Sequence, residues 1–386
     1  MEQVLQDLVC RQSQRFDVSV LCYADERRTT SESRDGARIT RVAALGTIAS
    51  MPVCPELFWR MRDYEPDLVH LHTPNPLAAL ALLTRFLECP IIVEHHSDTI
   101  GRRALRHLSD PFVRAIMKRA DCIIATSQRY VVSSPELRPY LGKISIVPCG
   151  INLPQITPEI LASAQVIRKT YGDRLVLAVG RLVPYKGFDI LIDAMREVNG
   201  TLVIIGNGPL RETLQLQIQR AELTKRVNLL SNVADVAPYL KAADVFALPS
   251  ISRAEAFGLV QVEAMACGTP VVNTHVNSAV PEISLHGVTG LTVPSRDASG
   301  LAAALSLLLN SEELRTTYGS AARIRVSEHF TADLMAQRTE AIYARLGVLG
   351  TQPAKTEAPS KPKSPTYVEP LAALGDQCRV GNSSGQ

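Results

Sequence analysis

The chain has 386 residues, 46% hydrophobic and 20% charged, with a formal net charge of +3 at pH 7. This length accommodates two globular domains with substantial cores, and the apolar content excludes wholesale disorder. A near-neutral total argues against nucleic acid as a partner, and no apolar run approaches the roughly 20 residues needed to cross a bilayer.

Eight cysteines are scattered without a CxxC pair. They read as small core hydrophobes in a reducing cytosol, so a cytoplasmic location is expected, with contact at a membrane face left open.

In chain order, residues 2–15 carry Val4, Leu5, Leu8 and Val9 at helical spacing, and DVSVLCY (17–23) reads as a buried strand. Residues 24–36 are polar and loop-like. Strands are predicted at 38–42, 67–71, 90–94, 122–125 and 143–147, with helices at 52–63 and 77–87. The strand at 90–94 delivers His95, His96, Ser97 and Asp98 at its carboxyl end, where open parallel sheets place their ligands. Residues 102–119 form a basic amphipathic helix, or two helices broken near Pro111. That face is either simply solvated or a site for anionic lipid or acceptor phosphate.

The second half alternates strand and helix with more regularity. LVLAVG (175–180), TLVIIG (201–206), VNLL (227–230), VFALPS (245–250), TPVVN (269–273) and LTVP (291–294) read as strands of a second doubly wound sheet. The boundaries that follow are 1–150 for a first Rossmann-like domain, 151–330 for a second, 331–348 for a helix crossing back to the first, and 349–386 for a tail. The Pro-, Lys- and Ser-rich composition of the tail predicts disorder.

Two open sheets in one chain leave a cleft, and three loops of the second domain open onto it. In VGRLVPYKG, Arg181 and Lys186 put two cations on a strand-to-helix turn, an arrangement suited to a diphosphate. GNGP supplies Gly206, Asn207 and Gly208, and its two glycines let backbone approach a ligand closely. In SRAEAFGLVQVE, Glu255 sits in a turn, Phe257, Gly258 and Leu259 at a helix mouth, and Glu263 inside the helix. An anion site beside two carboxylates suggests phosphate next to hydroxyls, hence a nucleotide sugar.

GR-x4-KG, EAFGLVQVE, ACGTPVV and HGVTGLTVP together resemble the retaining glycosyltransferase family 4, of GT-B fold. VPYKGFDIL, EHHSD and SSPELR are most similar to bacterial mannosyl- and rhamnosyltransferases of polysaccharide synthesis. The resemblance implies an α/β fold of two Rossmann-like domains facing a cleft. It implies that Arg181 and Lys186 hold the diphosphate, that Glu255 contacts the transferred sugar, and that Phe257, Gly258 and Leu259 offer backbone amides. Glu263 would bind the ribose and His96 would lie close to the reacting sugar, with His95 an alternative on the opposite face. GDP-mannose is the expected donor ahead of a UDP-sugar, with a saccharide or lipid-linked acceptor and no metal. A sugar-nucleotide epimerase of the same fold and an inactive nucleotide-sugar-binding protein are the alternatives.

Family members open with a strand and a Gly-Gly turn before a helix resembling MEQVLQDL, which stands here at Met1. The first domain is therefore expected to lack its N-terminal strand, through a misplaced start or a truncation, and to expose hydrogen-bonding edges at its centre.

Overall fold

The computed structural model describes residues 2–24, 28–48, 51–98, 103–350 and 365–369, the side chains of 51, 103–109 and 365–369 excepted. The strands are β1 (Ser19–Ala24), β2 (Thr30–Arg34), β3 (Ala37–Ala43), β4 (Thr47–Ile48), β5 (Met51–Pro52), β6 (Leu68–Thr73), β7 (Ile91–His95), β8 (Cys122–Ala125) and β9 (Ile144–Ile146). They continue with β10 (Leu175–Val179), β11 (Thr201–Ile205), β12 (Val227–Leu230), β13 (Val245–Leu248), β14 (Val271–His275), β15 (Gly290–Pro294) and β16 (Pro365–Glu369).

The second domain is one parallel sheet in the order β12-β11-β10-β13-β14-β15. Its inner strands read as unbroken apolar runs because helices cover both faces and leave no side for water. Chain order reverses between β10 and β13, the place at the carboxyl ends of an open parallel sheet where a ligand crevice is expected.

The first domain is an eight-stranded sheet in the order β2-β3-β1-β16-β6-β7-β8-β9. β16 runs parallel to both neighbours, Ser19 to Cys22 facing Thr366 to Glu369 and Leu68 to Leu71 facing Pro365 to Val368. Two expectations are corrected here. Residues 365–369 form a strand rather than disordered chain, and the sheet has no open edges at its centre, because this segment lies between β1 and β6. Proline precedes Thr-Tyr-Val, residue types that suit a pleated, hydrogen-bonded slot. The rest of the tail, 351–364 and 370–386, lies outside the described residues.

Residues 30–34, read as loop, form β2, which pairs antiparallel with β3 and is exposed at all five positions. Its polar sequence is that of an edge strand with no apolar face to bury. Of the helix predicted at 52–63, only Leu57–Arg60 and a 3₁₀ turn, Met61–Asp63, are helical, and Pro52 belongs to β5. The helix Arg103–Arg119 is continuous through Pro111. Val113, Ile116 and Met117 are buried, and Arg114 and Lys118 point outwards. Arg119 turns inward to donate to the carbonyls of Leu82, Arg85 and Leu87, so one cation of the basic run has a structural task.

The helix Ala332–Arg345 packs against the helix Glu2–Gln12 of the first domain. Arg11 pairs with Asp333 at 2.5 Å, Arg15 pairs with Glu340, and Gln12 Nε2 donates to the Tyr343 hydroxyl at 3.2 Å. Tyr343 is fully buried, and burial of a side chain of that size contributes about 2 kcal/mol. Thr331 starts this helix, its hydroxyl accepting from Leu334 N.

Candidate functional site

The loops that follow β10 and β13 are stitched together. Ile251 N donates to Tyr185 O at 2.8 Å. Gly187 begins the helix Phe188–Ala194 in the left-handed region, φ 68°, and a Cβ there would lie 2.1 Å from Pro249 O. Glycine is thus required twice over, by its conformation and by the space. Lys186 and Glu255, one from each loop, meet at 2.6 Å and are both largely buried. Ser250 Oγ donates to the same carboxylate oxygen of Glu255 at 2.9 Å. Removing either partner of such a pair leaves an unpaired buried charge, a cost of about 3–5 kcal/mol.

The remaining second-domain candidates lie on the same loops, on the neighbouring Gly206–Gly208 turn and on the helix after Gly258. Arg181 follows β10 and is exposed, with no side-chain ion pair among the described residues. The turn at Gly206, Asn207 and Gly208 lies against the same loop: a Cβ on Gly206 would strike Gly180 O at 1.9 Å, and one on Gly208 would strike Leu182 O at 2.5 Å. Gly258, φ 78°, opens the helix Leu259–Ala266 with no side chain capping its first turn. Gln261 N turns back to Gly258 O at 3.0 Å, and the amides of Leu259 and Val260 stand at the positive end of the helix dipole. The Phe257 ring packs edge-on to Phe330, centroids 6.2 Å apart, so its backbone rather than its ring is offered to a ligand. Glu263 is solvent-accessible on its helix, although the protein crowding its carboxyl pushes the pKa up.

On the first domain, His95 and His96 leave the end of β7 in opposite directions. His96 Nε2 lies 2.8 Å from His72 Nδ1, whereas His95 Nε2 lies 3.2 Å from Asp98 Oδ1. His70 joins the first group through Glu94 Oε2 at 3.2 Å, and its Nδ1 lies 2.8 Å from the Tyr343 hydroxyl. Burial pushes the pKa values of His70, His72 and His96 down to about 3, so the imidazoles are neutral at pH 7.

His70, His72 and Glu94 bring their ligand atoms within 4.8 Å of one another. The His72 and His96 rings are parallel within 6° with centroids 5.1 Å apart, so their 2.8 Å Nδ1···Nε2 contact joins them edge to edge in one plane, and His70 lies over the face of His72 at 4.6 Å and 16°. The Nδ1 of His72 is thus engaged by His96, and the arrangement is a hydrogen-bonded histidine column.

Asp98, placed by the sequence at the ligand end of its strand, and Arg253, which the sequence reading did not single out, join the domains. Arg253 Nη2 lies 3.0 Å from Asp98 Oδ2, and Arg253 Nη1 donates to Ser133 O at 2.7 Å. The Asp98 carboxylate also accepts from Ser134 Oγ. Burial pushes the Asp98 carboxyl up, but the hydrogen bonds from His95 and Ser134 and the charge of Arg253 outweigh it and hold its pKa below the usual range. His72 was also missed; the HLH spacing of 70–72, which puts both rings on one face of a strand, was the available signal. A cavity of about 370 Å³ opens elsewhere between the domains, lined by Ser127, Phe257, Glu282, Arg325 and Arg338 among others, and it includes neither Lys186 nor Glu255.

Known proteins share this architecture. Residues 1–150 match the model of the glycosyl transferase 4-like domain and residues 162–325 that of glycosyl transferases group 1. The chain is 28% identical to O-antigen chain mannosyltransferase C of Escherichia coli, over 85% of this chain and 89% of that one. It is 30% identical to the D-rhamnosyltransferase WbpZ of Pseudomonas aeruginosa, over 74% and 76%. Among solved structures, sucrose-phosphate synthase from Thermosynechococcus elongatus superposes with a TM-score of 0.73 at 25% identity, covering 89% of this chain and 92% of that one. Anabaena HepE in complex with UDP and glucose superposes with a TM-score of 0.70 at 21% identity, covering 89% and 95%.

Proposed function

As a member of glycosyltransferase family 4, this chain is a glycosyltransferase, and we propose that it transfers a hexose with retention from a nucleotide sugar to a lipid-linked saccharide acceptor. The donor proposed is GDP-mannose, and the process O-antigen or exopolysaccharide synthesis. The observation that carries this reading is the buried Lys186–Glu255 pair at the β10/β13 crevice, beside the uncapped helix mouth at Gly258. The relative named as an O-antigen mannosyltransferase supports the choice of sugar and pathway, and the neighbour that holds UDP makes the base the first thing to measure.

In this reading Arg181, Lys186 and the amides of Gly258 and Leu259 stabilise charge growing on the leaving diphosphate. Glu255 orients the sugar through its hydroxyls and Glu263 accepts from the ribose. His96 lies across the cleft near the reacting carbon, neutral and therefore able to hydrogen-bond without adding charge. The acceptor hydroxyl attacks on the face from which the diphosphate departs, and a diphosphate oxygen takes its proton. No metal is needed in this scheme. Arg114 and Lys118 give the helix Arg103–Arg119 an exposed basic face for anionic headgroups at the inner membrane surface.

Thermal shift with GDP and UDP, followed by mass spectrometry of products from a donor panel with and without lipid-linked saccharide, tests the proposal. GDP at a hundredfold excess over its Kd should stabilise the chain by about 2.7 kcal/mol, and UDP at the same concentration by less. Product should form only with acceptor present. An isomerised sugar formed without acceptor would sink the transferase reading in favour of epimerisation.

A further inference from the structure

We infer that Arg253 and Asp98 are positioning residues that fasten the donor-side loop to the first domain and hold the cleft closed while transfer occurs; this rests on the transferase reading above. Arg253 stands two residues before Glu255, yet its guanidinium leaves its own domain. One arm meets the Asp98 carboxylate at 3.0 Å and the other donates to Ser133 O at 2.7 Å. The fork is occupied by first-domain acceptors, so Arg253 has little left to offer a donor phosphate.

The receiving side is built in advance. The Asp98 side chain is 1% exposed, while that of Arg253 retains 28%. His95 Nε2 and Ser134 Oγ fix the other carboxylate oxygen, and Asp98 N donates to the Tyr130 hydroxyl. The first domain thus presents a rigid buried anion whose cation comes from the other domain. Opening the cleft would strip Asp98 of that cation, and the pair therefore favours closure. A separate set of contacts joins the domains further along: Arg129 N donates to Glu282 Oε1 at 3.0 Å, and Ser133 Oγ donates to Asn277 O at 2.7 Å. These hold the segment after β14, whereas Arg253 holds the loop that carries Glu255.

The link also has a chemical consequence. A loosened cleft admits water, which can attack the anomeric carbon in place of the acceptor hydroxyl; the nucleoside diphosphate leaves and free sugar is released.

The test is a double-mutant cycle on the full chain with Arg253→Gln and Asp98→Asn, reading kcat, donor KM and the ratio of donor hydrolysis to transfer. Each single variant should lower kcat about 10- to 100-fold and raise the hydrolysis ratio, with KM changing far less. The double variant should be little worse than either single, because both remove one link. Arg253→Lys, which keeps the charge but loses the fork, should recover part of the loss and guards against a variant that simply fails to fold. Additive losses, or an unchanged hydrolysis ratio in well-folded variants, would overturn the inference. Small-angle scattering separates it from the transferase reading: if no nucleotide sugar reacts with the parent chain that reading fails, while a larger radius of gyration in Arg253→Gln would still support the link and an unchanged one would count against it.

Discussion

The two sheets of this molecule reach similar ends by different routes. Every strand of the second comes from one stretch of chain, β10 to β15, joined by crossovers that carry helices. The first is completed between β1 and β6 by β16, a segment nearly three hundred residues further along than β6. The second sheet is therefore built from one continuous stretch of sequence, whereas the first depends on a distant piece of the chain finding one slot. They differ in their polar interiors as well. The first domain buries a column of His70, His72 and His96, while His275, His286 and His329 of the second are exposed.

The largest effect expected on this contrast is at the donor-side pair. Lys186→Ala and Glu255→Ala should each lower transfer about 100- to 1000-fold, the range of a lost electrostatic stabiliser. Circular dichroism should show the first domain undisturbed. Parent-like turnover in both variants would remove the site from this crevice.

Next comes the slot. Deleting residues 351–386 takes away a strand bonded on both sides, and the first domain should melt about 10 °C lower while GDP or UDP binding to the second survives. A peptide spanning residues 363–371, added in trans, should recover part of that loss. If melting is unchanged by the deletion, β16 adds no stability and the contrast between the sheets collapses.

The smallest effect is expected from pH. The three buried histidines have folded pKa values pushed down to about 3, below the ordinary value near 6.5. The unfolded chain therefore binds more protons below about pH 6.5. Their contribution to stability is intact above that pH and is lost progressively as pH falls towards 3. Calorimetry at pH 7 and pH 5 should show the first domain losing several degrees and the second almost none. Equal losses in both would mean that the histidine column is not what makes the first domain acid-sensitive.

Much of the second domain could be read in advance because each strand there is a short apolar run bounded by turn residues. VNLL matches β12 residue for residue, and the strands predicted at 175–180 and 201–206 end one residue beyond β10 and β11. The loops bearing Arg181, Lys186, Glu255 and Gly258 follow from that regularity. What was not legible lies where a partner is distant or water is the neighbour. β2 is wholly exposed and carries no apolar alternation. β16 sits in a composition typical of unstructured tails, and its reason for being a strand is the pair of edges it meets. Arg253 and Asp98 are 155 positions apart, and nothing in either local sequence marks them as partners. His96 was reached through the resemblance of EHHSD to family members, but the ring hydrogen-bonded to it, His72, belongs to the neighbouring strand.

The stitching of the loops after β10 and β13 bears on how this protein could be re-engineered. Gly187 leaves the space that Pro249 O fills, and Ile251 is bonded to Tyr185. A substitution in one loop is therefore felt at once in the other, and the pair must be varied together or left alone. Asn207 and Glu263 stand at the rim, exposed and outside that stitching. A library aimed at a new nucleotide base or sugar should begin with those two positions, where diversity can be introduced without dismantling the buried pair behind them.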